Sequence, residues 1–71
     1  MNSIDLLNKN VRRNINMYCK QKKLTERELA EKINIKESDL KSPTKKLSIN
    51  SLMMICKVLD IELSDLLKGE D

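Results

Sequence analysis

The sequence has no histidine, no tryptophan and no phenylalanine, and it holds one glycine, one proline and one tyrosine. Each absence closes a class. Without histidine the chain lacks the commonest general base and the commonest metal ligand, so both catalysis and a zinc site start from a deficit. A single Gly and a single Pro are too few for an all-β fold, which needs turn residues at every hairpin. With so little aromatic surface the core must be aliphatic, built from Leu, Ile, Val and Met. The longest apolar run, Leu52 to Cys56, is far shorter than a membrane span. The amino end, MNSIDLLNKN, has no basic-then-apolar signal pattern, so a cytoplasmic protein is expected.

Cysteine is scarce too. Cys19 and Cys56 form no CxxC and have no His partner, so a metal site lacks ligands. One disulfide stays open on count alone. Both residues, however, fall in helix-patterned apolar stretches, where a reduced Cys acts as a small hydrophobe. No Gly-rich phosphate loop exists and no base stands ready to activate a Ser. The Asp and Glu spacings match helix surface charges, so no enzyme, no cofactor and no metal are expected.

What is present is aliphatic and charged: 39% hydrophobic and 35% charged over 71 residues. A chain this short buries only ~60% of its unfolded surface and cannot form two cores, so residues 1–71 are read as a single domain. The charge is unevenly placed. Residues 1–25 carry Lys9, Arg12, Arg13, Lys20, Lys22 and Lys23 against Asp5, a net of +5. Residues 26–47 are close to balanced at +1, and residues 48–71 are at −3. A basic front and an acidic tail suit a protein with one face toward a polyanion; charge alone fits a solvated helix surface equally well.

Local signals divide the chain into five short helices. The first spans about Asp5 to Lys22, with Leu7, Val11, Ile15 and Tyr18 along one face. Thr25-Glu26-Arg27-Glu28 is a capping box, and Leu24 with Leu29 forms its hydrophobic staple, which together fix the start of the second helix. Asn34 is suited to a left-handed turn that ends it near Ile33. Ile35 then plugs into the core. The third helix covers at most 36–42, because Pro43 disfavours α geometry at Ser42. Ser48 caps the fourth, whose expected apolar face is Ile49, Leu52, Met53, Ile55, Cys56 and Leu59, with Leu47 and Leu52 as staple. Asp60 turns the chain toward a last short helix capped by Ser64, with Leu66 and Leu67 inward.

The stretch LTERELAEKINI, then a short helix, then LSINSLMMICKVLDIELSDLL, resembles the Cro/lambda-repressor-like helix-turn-helix domain of the Xre family over about residues 11–67. Ala30, Asn34 and Leu40 carry the motif, Ala30 being small enough to let its two helices cross closely. The resemblance implies an all-α, five-helix bundle, in which Pro43 shortens the recognition helix. It also implies that this helix lies in the major groove of double-stranded DNA. The expected DNA-binding residues are Thr25 at the start of the first motif helix, Lys36, Glu37, Ser38, Lys41 and Ser42 on the recognition helix, and Lys45 and Lys46 beside the backbone.

Several positions depart from the family pattern. Glu26 stands where members often place a phosphate-binding Gln. Glu37 and Asp39 cancel Lys36 and Lys41 on the recognition helix. Pro43 replaces an apolar residue, and the loop from Leu40 to Ser48 is about three residues shorter than the family pattern. Members often pair an Arg late in helix one with a Glu after the recognition helix; here those positions are Cys19 and Thr44, so both partners are missing together. Two functions follow. The first is a transcriptional regulator, a repressor acting as a homodimer on operator DNA, with Ile61–Leu67 and the end of helix four as the dimer surface. The second is a protein-interaction module on the same fold, an antirepressor or antitoxin-like partner that has lost or weakened DNA binding.

Overall fold

In the computed structural model, residues 3–42 and 46–69 are described. They form α1 (Ser3–Gln21), α2 (Glu26–Ile33), α3 (Glu37–Lys41), α4 (Ile49–Leu59) and α5 (Leu63–Leu67). No strand occurs among them, and the all-α expectation holds. None of these helices is long and apolar enough to cross a membrane.

All five helices contribute to the core. Val11, Ile15 and Cys19 come from α1, Leu29, Ala30 and Ile33 from α2, Leu40 from α3, Ile55, Cys56 and Leu59 from α4, and Leu66 from α5. Both cysteines are free and buried. Burial, with the charge of Glu26 adding to it, pushes the Cys19 thiol up to about 11, which keeps it protonated and inert at neutral pH.

Three helix ends are built alike, and none uses glycine. Lys23, Asn34 and Asp60 take left-handed backbone conformations, with φ of 55°, 62° and 57°. An apolar residue follows each one: Leu24, Ile35 or Ile61. Their amides donate to the carbonyls of Cys19 (2.9 Å), Ala30 (3.0 Å) and Cys56 (3.0 Å), and their side chains pack against the core. This is the Schellman closure, in which the orphan carbonyls at a helix end are taken up by the chain that leaves it. Asn34 and Asp60 were legible as turn residues. Lys23 was not, since a long aliphatic side chain gives no sign of left-handed geometry.

Three expectations need correction. Leu7 is 43% exposed, so the inward face of α1 starts at Val11. Ile49 and Met53, placed on the apolar face of α4, are 58% and 59% exposed. The buried arc is Leu59 with Ile55, Cys56 and half-buried Leu52. Met53 follows Leu52 by one position, which rotates it about 100° away. The last helix begins two residues early: Glu62 is its N-cap, with extended backbone, and its amide donates to Asp65 Oδ2 at 3.1 Å. Ser64 lies inside the helix. Within Ile61–Leu67, Leu66 is fully buried and Ile61, Leu63 and Leu67 pack half-buried on the core.

A run of polar residues on α1 holds the carboxyl end of α5. Asn14 is 5% exposed, and its Nδ2 donates to the carbonyls of Leu66 (2.7 Å) and Lys68 (2.8 Å). Arg13 Nη2 donates to the same Lys68 carbonyl at 3.1 Å. A helix of five residues is marginal without outside partners, because its last carbonyls find no donor within it.

The left-handed lysine yields a stability prediction. A non-glycine residue in this region is strained, so Lys23→Gly should stabilise the fold by about 0.5–1 kcal/mol. Thermal unfolding of the two proteins checks it. A rise of a few degrees in Tm is expected, and an unchanged or lower Tm contradicts the reading of this turn.

Candidate nucleic-acid interface

The α2–turn–α3 unit is set by residues that carry almost no freedom. Thr25 Oγ1 accepts from the Glu28 amide at 3.0 Å, and Glu28 Oε1 accepts from the Thr25 amide at 3.2 Å, so the capping box is complete. The Thr25 amide, and the Thr25 hydroxyl that donates to the same Glu28 Oε1 at 3.0 Å, hold the Glu28 carboxyl below its ordinary range. Ala30 is 2% exposed, and its carbonyl receives the amide of Ile35 as the chain turns through Asn34. Lys36 N-caps α3 with its backbone alone; its carbonyl accepts from the amides of Asp39 and Leu40, both at 3.1 Å. Leu40, 1% exposed, anchors α3 in the core.

Around that anchor the remaining α3 residues face outward. Lys36, Ser38 and Lys41 are exposed, and Glu37, Asp39 and Ser42 are half-buried. Glu37 and Lys41, two of the expected base-reading residues, are bonded to each other at 2.9 Å. That bond lowers the Glu37 carboxyl and raises the Lys41 ammonium. The pair is solvated, and such i,i+4 pairs are weak enough to exchange for another partner. Arg27 contributes to lowering Glu37, and Glu26 to raising Lys41, so the start of α2 and the outer side of α3 share one electrostatic surface. Glu26 itself accepts from Asn16 Nδ2 at 3.4 Å, and Arg27 pairs with Glu31 along α2 at 3.6 Å.

The structure therefore brings Thr25, Lys36, Glu37, Ser38, Lys41 and Ser42 onto one α2–α3 unit. Lys46 sits elsewhere. It is exposed and lines a hollow of about 230 Å³ with Leu7, Val11, Arg12, Leu52 and Leu67. Lys45 lies outside the described residues, as do Pro43 and Thr44.

Sequence reasoning missed Arg12. Its Nε donates to the Leu40 carbonyl at 3.0 Å and its Nη2 to the Asp39 carbonyl at 3.1 Å, across 28 and 27 positions of chain. Arg12 is half-buried, and that burial lowers its pKa from the usual guanidinium value. A signal was present in the sequence. The Asp39 carbonyl would be received in a continuing helix by the amide of residue 43, and residue 43 is a proline, which has none. A donor was needed from outside the helix.

A chain that places a capped helix, a left-handed turn and a second, outward-facing helix in this order can be compared with known families. The profile of the Cro/C1-type HTH DNA-binding domain matches residues 14–71. The chain belongs to that family. This Cro/C1-type domain is a DNA-binding, helix-turn-helix one, of a family that is not enzymatic, and the matched residues include α2 to α5. The match begins at Asn14, two positions after Arg12. No curated protein and no solved structure matched the chain. Among the described residues no cluster of Cys, Asp and Glu side chains is arranged to hold a metal ion.

The capping box makes α2 acid-sensitive in a defined direction. The Glu28 carboxyl is lowered in the folded chain, so its contribution is present above the unfolded-state value of about 4.3 and is lost as pH falls through the folded value. Denaturant midpoints between pH 6 and pH 3 should fall less for Glu28→Gln than for the unsubstituted chain. Parallel decline of the two would contradict the assignment.

Proposed function

We propose that this Cro/C1-type domain is a sequence-specific transcriptional regulator, a repressor that occupies operator DNA as a homodimer in the cytoplasm. The observation that carries the reading is the outward face of α3. Leu40 is its one fully buried side chain, and Lys36, Ser38 and Lys41 are left toward solvent at the position the family uses for the major groove. In this reading Lys36, Glu37, Ser38, Lys41 and Ser42 read base edges, with a Glu suited to accept from cytosine N4. Thr25, Lys45 and Lys46 lie along phosphates. Repression by occupancy needs no further surface.

Dimerisation follows from the size of α3. One five-residue helix reaches few base pairs, and two half-sites about one helical turn apart double its contacts. Residues 1–71 act in this reading as one domain.

A second reading keeps the fold and changes the partner. The Glu37–Lys41 bond and the carboxylate of Glu26 leave the α2–α3 surface without a clear positive excess, which favours a protein partner of antirepressor or antitoxin type. Selection from a random duplex pool, followed by electrophoretic shift across a salt series, separates the two. The repressor reading expects an enriched, palindromic site whose affinity falls steeply with salt, and a loss of about tenfold or more for Lys41→Ala. Failure to retard any duplex at about 50 mM salt overturns it and leaves the protein-partner reading.

A further inference from the structure

We propose that Arg12 is the positioning residue of the recognition helix, holding α3 by the Leu40 carbonyl and by the Asp39 carbonyl, for which Pro43 offers no helical donor. This rests on the DNA-reading role proposed for α3, and the tie itself can be tested without DNA.

The argument begins with what α3 can do for itself. Five residues make little more than one turn. The Ser42 amide donates to the Ser38 carbonyl at 3.1 Å, the last rung of the ladder among the described residues. The next rung, to the Asp39 carbonyl, would need an amide from residue 43, and the sequence has proline there, which carries no N–H. Arg12 supplies that missing donor at 3.1 Å and takes the Leu40 carbonyl at 3.0 Å with a second arm of the same fork. Charge-assisted bonds of this kind are about twice as strong as neutral ones, and a cation at a helix carboxyl end also meets its dipole favourably. Leu40 fixes where α3 sits; Arg12, bonded on the same residue and the one before it, fixes how it is tilted.

The family resemblance leads one to look for an arginine at position 19, where this chain has cysteine. Arg12 lies seven positions earlier, two turns along α1 and on a neighbouring strip of the same helix face. Its guanidinium bonds backbone carbonyls, which no substitution in α3 removes. The residues on α3 that face solvent are thereby free to change without loosening the helix.

Amide hydrogen exchange tests the tie directly. In Arg12→Gln the Leu40 and Ser42 amides should exchange about tenfold or more faster, while those of Ile15 and Ile55 keep their protection. Arg12→Lys, with a charge but no fork, should fall between the two. The Asp39 carbonyl depends on Arg12 because of proline, so in a Pro43→Ala background the effect of Arg12→Gln should shrink to about threefold or less. An equal effect in both backgrounds, or uniform loss of protection across the core, overturns the proposal. Should Arg12→Gln not fold, Arg12→Lys with and without Pro43→Ala gives the same comparison.

DNA binding provides the second readout. Affinity for the selected site should drop about tenfold in Arg12→Gln, while the salt slope on random duplex stays the same, since the guanidinium is spent on carbonyls and not on a phosphate. A slope smaller by about one makes Arg12 a phosphate contact and overturns the positioning role. If the unsubstituted chain binds no duplex, the DNA reading fails, and the exchange experiment still decides whether Arg12 holds α3.

Discussion

A helix of five residues leaves its last carbonyls without donors inside the helix, and this chain has two such helices, α3 and α5. The bonds from α1 that meet those carbonyls are the constraint on which the rest depends. Arg12 takes the end of α3; Asn14 and Arg13 take the end of α5. Three consecutive polar residues on one long helix thus set two short ones, while Val11 and Ile15 on either side of them enter the core. Leaving a buried carbonyl unpaired costs about 1–3 kcal/mol, a large part of the stability of a domain this size. In the proposed reading the recognition helix, α3, is therefore held from behind, by α1, at least as much as by its own ladder.

That placement changes the meaning of the charge distribution. The amino-terminal excess of +5 suggests a face toward a polyanion. Two of its six cations, Arg12 and Arg13, are engaged with backbone carbonyls at helix ends. On the α2–α3 surface itself the charges are mixed: Glu37 is bonded to Lys41, and Glu26 and Arg27 lie close enough to shift them. Affinity drawn from such a surface depends on geometry more than on net charge. This is why the angle of α3 matters.

Much of the fold was legible because its signals are local. The Thr25–Glu28 box, the Asn34 and Asp60 turns and the Ser48 cap each involve residues within four positions, and all occur where the sequence places them. The last helix was misread by two residues because Ser64 is the better cap by type, whereas the Glu62 amide finds the Asp65 carboxylate. Lys23 was missed because Leu24, drawn into the core, forces a left-handed step on whatever precedes it. The ties made by Arg12, Arg13 and Asn14 span 27 to 55 positions and have no periodicity to reveal them. Only the proline at 43, by removing a donor, marked that one had to come from elsewhere. Of the candidate site, the residues on α2 and α3 came together as the motif implied, and Lys46 did not join them.

The claim that α1 holds the recognition helix from behind is tested most directly by the Arg12 side chain itself. In an NMR spectrum of arginine Nε–H groups, Arg12 should give a distinct signal, slow to exchange with water because it is bonded to the Leu40 carbonyl. That signal should persist unshifted when duplex DNA is added. An Arg12 Nε–H that exchanges as fast as a solvated arginine, or that moves to a phosphate-bonded position on adding DNA, would contradict the account.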